Sequence, residues 1–203
     1  LETATIVPQW SSETKEGHRF VAQVTTTRDD LERDFSLDSD TEVPAGLYTF
    51  TSVQLQFRQS SAGFFRVDLT SDYGAFYDGR RSSNSITATW NPSMYLELVG
   101  TYRLDDVDFE ERDQHFRSHL VRLRTEVRLN TELTGAALVQ FSSVGELVSV
   151  NLRVRYNPSE GHDLYIVWNE GYVTDRFSSN PVRPLSDRRQ LLIKYSKTFT
   201  LGT

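Results

Sequence analysis

Leu120-Val121-Arg122-Leu123-Arg124-Thr125-Glu126-Val127-Arg128-Leu129 is the stretch that decides the fold. Its odd positions, Val121, Leu123, Thr125, Val127 and Leu129, form one apolar row. Its even positions, Arg122, Arg124, Glu126 and Arg128, form a charged one. Side chains alternate across a pleated backbone, so a period of two predicts a β-strand. Working outward, residues 147–156 repeat the pattern, with Val148, Val150, Leu152, Val154 and Tyr156 against Ser149, Asn151, Arg153 and Arg155. Residues 94–103 set Leu96, Leu98 and Tyr102 against Glu97 and Arg103, and Leu191, Ile193 and Tyr195 oppose Leu192 and Lys194. Weaker alternation at Phe20/Ala22/Val24, Val53/Leu55/Phe57, Phe65/Val67/Leu69, Ile86/Ala88/Trp90, Leu133/Ala137/Val139/Phe141 and Leu164/Ile166/Trp168 completes a set of ten strands. Each runs to roughly 9–13 residues against a globular mean of about 5–6. A tilted strand needs about 9–11 residues to cross a bilayer.

The connections between these strands fall at 28–45, 59–62, 71–81, 91–92, 105–116, 130–132, 142–146, 157–162 and 171–187. They alternate long and short, 142–146 being a weak member of the long set. The short ones hold turn residues, as in Asn91-Pro92, Asn130-Thr131 and Asn157-Pro158. The long ones are acidic, with Asp29, Asp30, Glu32, Asp34, Asp38, Asp40 and Glu42 in the first. Long loops at one end and tight turns at the other are the layout of an outer-membrane β-barrel.

The direction of the apolar face separates a membrane barrel from a soluble one. A thin soluble barrel has no room for Arg122, Arg124, Glu126, Arg128, Arg153 and Arg155 around a dry centre. The reversed arrangement places Val53, Leu55, Phe57, Leu96, Leu98, Val121, Leu123, Val127, Val150, Leu152, Val154, Leu191, Ile193 and Tyr195 against lipid. It leaves Arg58, Arg66, Asp68, Glu97, Arg103, Arg122, Arg124, Glu126, Arg128, Arg153, Arg155, Asp163 and Lys194 lining a lumen. The expected fold is therefore all-β, an antiparallel transmembrane β-barrel with about ten strands. Phe57, Trp90 and Tyr156 stand at the turn ends of their strands, as an aromatic girdle would, and Lys197 is close enough to a strand end to snorkel. The last amphipathic strand closes on Phe199, the form of an outer-membrane assembly signal. Residues 1–17 read as the end of a preceding strand and a periplasmic turn, 18–199 as the barrel strands and 200–203 as a tail. The expectation is that these are the C-terminal part of a larger barrel.

Composition narrows the function classes. The chain has 203 residues, no cysteine and a net charge of −6, which excludes a disulfide framework, a thiolate metal site and a cysteine nucleophile. Of the 22 basic residues, all but Lys15, Lys194 and Lys197 are arginine. No basic–aromatic patch supports nucleic-acid binding. No apolar run reaches the roughly 18 residues of a membrane-spanning helix.

Several landmarks resemble a known bacterial group. They are Val43-Pro44-Ala45-Gly46-Leu47-Tyr48-Thr49-Phe50, Gly74-Ala75-Phe76-Tyr77-Asp78-Gly79-Arg80 and Trp90-Asn91-Pro92-Ser93, followed by Ala137-Leu138-Val139-Gln140-Phe141, Val150-Asn151-Leu152-Arg153-Val154-Arg155-Tyr156 and Asp163-Leu164-Tyr165-Ile166-Val167-Trp168-Asn169-Glu170-Gly171. This resembles the family in which a carbohydrate-binding module of the family-nine type precedes a long uncharacterised domain of outer-membrane β-barrel character. The similarity covers about residues 17–199. Trp168 stands where the family pattern has tyrosine. The resemblance implies a larger parent with a sugar-binding module and location in the bacterial outer membrane. It brings no catalytic residues with it.

Among chemical constellations, His115 and His119 lie four apart near Asp113, but no spacing fixes further metal ligands. Ser118 beside them lacks an oxyanion-hole signature. Glu97 and Glu126 are the best carboxylate pair for glycoside hydrolysis, although each has arginine neighbours that it would neutralise. No motif calls for a cofactor. The arginine ladder carries the functional expectation: ten inward cations (Arg188 among them) face Asp68, Glu97, Glu126 and Asp163. That lining suits an anionic solute, a carbohydrate or an anionic plug segment, with outer-membrane lipid as the surrounding partner. A cross-strand ion-pair lattice that stiffens the wall is the structural alternative. The rival classes are an outer-membrane hydrolase of glycan or lipid, and a soluble ligand-binding β-barrel.

Overall fold

A computed structural model of the chain describes residues 3–61, 63–177 and 181–198. Phe199 and the tail 200–203 lie outside the described residues. The strands are β1 (Thr3–Ile6), β2 (Gln9–Glu13), β3 (Arg19–Leu31), β4 (Phe35–Ser36), β5 (Glu42–Val43), β6 (Gly46–Arg58) and β7 (Phe65–Phe76). They continue as β8 (Gly79–Ser93), β9 (Leu96–Phe109), β10 (Gln114–Arg128), β11 (Leu133–Ser142), β12 (Leu147–Ser159), β13 (His162–Val173) and β14 (Ser186–Lys197). The fold is all-β. A 12-stranded sheet follows the order β1-β3-β6-β7-β8-β9-β10-β11-β12-β13-β14, with β2 also on β3, and β4 and β5 form a separate small hairpin. Pairing is antiparallel, and among the described residues the one helical element is the 3-10 turn Glu110–Arg112.

Three corrections concern where strands begin and end. Residues 71–81 and 105–116, expected as long loops, are mostly strand: β7 and β8 meet at Tyr77-Asp78, and β9 and β10 at residues 110–113. In those extensions Phe76, Val107 and Phe109 share a face with Asp72, Arg103 and Asp105, so apolar and charged residues mix on one face and the alternation that marks a strand in sequence is blurred. Cross-strand pairs such as Arg81–Asp72 (3.1 Å) and Arg117–Asp106 (2.6 Å) contribute about 0.2–1 kcal/mol each to the pairing. Likewise Asn91-Pro92 and Asn157-Pro158 lie within β8 and β12, and the turns come later, at 94–95 and at Glu160-Gly161. A proline is tolerated at a strand end, where its missing N–H costs little, and Gly161 takes the left-handed φ of 77° that this turn needs. At the start, β1 and β2 keep one register along β3, from Thr3↔Asp29 to Glu13↔Arg19, so most of the stretch 1–17 is strand and the turn is confined to the residues after Glu13.

The chain divides into two compact units, residues 1–88 with 102–119, and residues 89–101 with 120–203. In the first unit, Phe20↔Phe57↔Leu69 and Val24↔Val53↔Tyr73 share the apolar face. Arg58↔Asp68 and Gln54↔Asp72 share the other. In the second, the apolar face repeats across five strands, as in Leu123↔Val139↔Val150 and Val154↔Ile166↔Ile193.

Exposure reverses the usual soluble pattern. Among the described residues 32 large hydrophobics are exposed, including Leu55, Val121, Leu123, Ile193 and Tyr195, whereas only Val21, Val43, Val107, Phe109 and Phe116 are buried apolar side chains. An apolar side chain left in water forgoes about 1.5–3 kcal/mol of burial. A sheet with this one-sided exposure therefore has to place that face against something apolar. The small dry cluster of Val43, Val107, Phe109 and Phe116 lies in the first unit, at the end of the long loop 32–45.

Candidate functional site

Antiparallel register turns the alternation of single strands into rows across the sheet. In the second unit the row Arg128↔Thr134↔Arg155↔Tyr165↔Lys194 crosses five strands on one face. The adjacent row on that face is Glu126↔Ala136↔Arg153↔Val167↔Leu192. Thr134 and Ala136 on β11 are short, while β10 and β12 on either side carry arginines. The result is a trough of about 320 Å³ lined by Glu126, Arg128, Thr134, Ala136, Arg153, Arg155 and Tyr165, together with Val127 and Gly135.

Ion pairs hold most of these arginines in place. Arg124 bridges Glu97 (2.8 Å) and Glu126 (2.9 Å), and Arg128 takes the other oxygen of Glu126 at 3.0 Å. Arg155 reaches Asp163 at 2.7 Å, with its guanidinium 5.7 Å from the Tyr165 ring centroid. Arg122 donates to Gln140 at 3.0 Å. Among the described residues Arg153, Arg188 and Lys194 have no carboxylate partner. The charged face of this unit thus carries Arg122, Arg124, Arg128, Arg153, Arg155, Arg188 and Lys194 against Glu97, Glu126 and Asp163. More than half of that positive charge is left for a mobile anion or a bound one.

Further along, amide and hydroxyl side chains join apolar ones in the lining, with the charged Glu170, Asp187 and Arg188 beside them. A second concavity of about 430 Å³ is bordered by Gln140, Ser149, Asn151, Asn169 and Arg188. Asn151 donates to Asn169, whose own amide reaches Gln190 at 3.4 Å. Amides and hydroxyls of this kind exchange hydrogen bonds with polyhydroxylated solutes as readily as with one another.

The first unit differs. Asp68 takes Arg58 (3.3 Å) and Arg66 (3.4 Å), Asp72 takes Arg81, and Asp105 takes Arg103 through two parallel hydrogen bonds of 2.7 and 2.8 Å. Its charged face is close to balanced. Asp72, Arg81 and Asp105 were hidden from the sequence reading because they fall in stretches read as loops. Extending the parity of Arg103 by one step to Asp105 is the signal that finds it. A concavity of about 570 Å³ in this unit lies mainly on the apolar face among Phe20, Leu55, Phe57, Leu69 and Ile86.

The histidines are taken by separate partners. His115 contacts Asp106 at 3.0 Å and His119 contacts the Tyr102 hydroxyl at 2.9 Å. Among the described residues no group of three or more His, Asp or Glu is arranged to hold a metal, and Asp113 is the left-handed residue ending the 3-10 turn. Desolvation pushes the Asp106 carboxyl up, but hydrogen bonds from Arg117 and His115 outweigh it and hold the group below its ordinary value. Glu97 and Glu126 share one guanidinium, that of Arg124.

No protein-family profile and no curated protein sequence matches the chain. Solved structures similar to it include two porins. One is the NanC porin in a rhombohedral crystal form, at 14% identity and TM-score 0.43, covering 98% of this chain and 94% of that one. The other is the KdgM porin in complex with disordered oligogalacturonate, at 9% identity and TM-score 0.38, covering 97% and 92%.

Proposed function

We propose that the chain is wall of a bacterial outer-membrane β-barrel, with its apolar face against lipid and its arginine-rich face towards an aqueous lumen that passes small anionic solutes. The observation that carries this reading is the inverted exposure: Val121, Leu123, Leu191 and Ile193 stand exposed, while Arg124 and Arg155 on the opposite face are held in ion pairs. Backbone polar groups cannot go unpaired in lipid, and a wall of hydrogen-bonded strands meets that demand. An arginine at mid-depth on a lipid face costs about 2–4 kcal/mol; the row Leu123↔Val139↔Val150 does end on Glu170↔Arg189, where the two side chains form an ion pair of 2.6 Å close to the loop ends of β13 and β14. The soluble alternative requires those rows to be buried.

Within the lumen, the row Arg128, Arg155 and Lys194 with Arg153 offers an anion successive cationic stations. The amide-lined stretch beside it favours hydroxyl-bearing anions, such as carbohydrate acids. In this reading residues 18–199 make the wall, residues 1–17 lead into it, and Phe199 serves assembly. The resemblance to proteins with a sugar-binding module supports a second role, in which the barrel anchors that module. The arginine–carboxylate lattice, which stiffens the wall, suits that role as well.

Reconstitution in a planar bilayer tests the proposal. The reversal potential under a salt gradient should report anion preference, and the protein should need detergent and migrate differently on a gel before and after heating. A detergent-dependent, heat-modifiable protein without current supports the anchor alone. Cation preference overturns the anion lumen, and solubility without detergent overturns the membrane wall.

A further inference from the structure

Residues 32–45 have the composition of a solvated loop, with Glu32, Asp34, Asp38, Asp40 and Glu42 among them. Loops of this kind normally run over the surface. This one does not: Thr41 is 1% exposed and Val43 is fully buried. The β4–β5 hairpin pairs Phe35 with Val43 and Ser36 with Glu42. Val43 packs into Val107, Phe109 and Phe116, with Tyr48, Phe76 and Tyr77 around them.

The seat lies on the charged face of the first unit. Tyr48 on β6 has the parity of Gln54 and Arg58, and Phe76 on β7 has that of Asp68 and Asp72. Val107 and Phe109 have that of Arg103 and Asp105. Local geometry is adapted to the seat. A Cβ on Gly79 would stand 2.5 Å from the Phe109 ring and 2.4 Å from the Asp108 carbonyl oxygen, so only glycine leaves room there. Tyr77 holds a left-handed φ of 53°, unusual for a side chain of its size. Its ring meets Tyr48 edge-on at 5.2 Å and its hydroxyl donates to Asp29 at 3.1 Å.

Two hydrogen bonds, from Arg112 to Glu42 and from Tyr48 to Pro44, tie the segment to the strands, and one within it, from Ala45 to Asp34, closes its ends. Arg112 donates to the Glu42 backbone carbonyl and to Asp78 (2.9 Å), and its guanidinium lies 4.2 Å from the Phe109 ring centroid. The Ala45 N–H donates to Asp34 at 2.8 Å, and the Tyr48 hydroxyl to the Pro44 carbonyl at 2.8 Å. We infer that residues 32–45 form a fixed inner strap across the charged face at its loop end, which sets the size limit for solutes entering the lumen. This rests on the lumen reading above. A dry aromatic seat and backbone pins hold the strap shut at rest, so it acts as a standing filter and does not wait for a ligand to close it.

The chain has no cysteine among its residues, so single cysteines report the strap directly. Val43→Cys should resist a maleimide in the folded, detergent-held protein, while the exposed Asp40→Cys reacts. Adding Arg112→Ala to Val43→Cys should unmask the thiol and raise single-channel conductance about twofold or more. Deletion of residues 35–42, which leaves every long strand intact, should raise conductance equally and covers the case in which Arg112→Ala fails to fold. Rapid labelling of Val43→Cys in the parent background overturns the strap. A conducting parent whose current is unchanged by strap deletion also overturns it and leaves the pore standing. If neither parent nor deletion conducts, the pore reading falls and takes the inference with it.

Discussion

Replacing Leu123 with arginine separates a lipid-facing wall from a water-facing one. Leu123 is 48% exposed on the face it shares with Val139 and Val150. It lies four residues from His119 and four from Val127, about 14 Å along the strand each way at roughly 3.4 Å per residue. A tilt of about 40° reduces that to about 10 Å of depth, near the middle of an apolar band about 25 Å tall. An arginine there should cost about 2–4 kcal/mol, a fall of roughly 30- to 700-fold in the folded-to-unfolded ratio. The reciprocal change, Arg124→Leu, breaks two pairs in which the arginine is 47% exposed and the carboxylates 25% and 31%. Each is worth about 0.2–1 kcal/mol after solvent screening, so that variant should lose less than about 2 kcal/mol. Denaturant titration of folding into phospholipid vesicles reads both. If Leu123→Arg stays within about 0.5 kcal/mol of the parent, the range of an ordinary surface change, the face is wet and the account fails.

Other consequences are independent of that one. Changing Arg128, Arg153 and Arg155 together to glutamine should move the reversal potential towards zero with little effect on assembly; unchanged selectivity would remove the trough from the ion path. Because the folded-state pKa of Asp106 is depressed, its contribution to stability is present above the ordinary carboxylate value of about 3.9 and lost as pH falls through the lowered one. Asp106→Asn should therefore flatten acid unfolding below about pH 4, and an identical acid limb would show that the carboxylate is idle. Gly74→Val puts a Cβ 2.4 Å from the Ser52 Cα and 2.5 Å from the Thr51 carbonyl oxygen, and should cost about 1–3 kcal/mol by overpacking. Gly135→Ala, whose Cβ finds nothing nearer than 3.8 Å, should be tolerated, and equal damage from both would mean that the close approach of β6 and β7 is not the cause.

The strands were legible where the two faces meet different surroundings. Val121 to Leu129 and Val148 to Tyr156 alternate cleanly because one row is apolar and the other must hold charge. Where apolar and charged residues mix on one face, as at Asp72–Arg81 and Asp105–His115, alternation blurs although the backbone pairing continues. The length of those hairpins and their ion pairs therefore went unseen. Turn chemistry misled at Asn91-Pro92 and Asn157-Pro158, since proline signals an ending but not its residue. The strap was unreadable for a different reason. Val43 and Leu37 are two apolar residues among carboxylates, and their burial depends on Phe109 and Phe116, more than sixty residues away in sequence. The trough was half legible: the arginines stood out by parity, but the small Ala136 and Thr134 matter only once register sets them between Arg128 and Arg155.

Nitroxide labels placed one at a time on residues 121–128, in the protein reconstituted in bilayers, would test the polarity of the wall most directly. Relaxation by oxygen, which concentrates in lipid, should peak at 121, 123, 125 and 127. Relaxation by a water-soluble nickel complex should peak at 122, 124, 126 and 128. The opposite phase, or accessibility to nickel at every position, would contradict a wall whose hydrophobic side chains face the membrane.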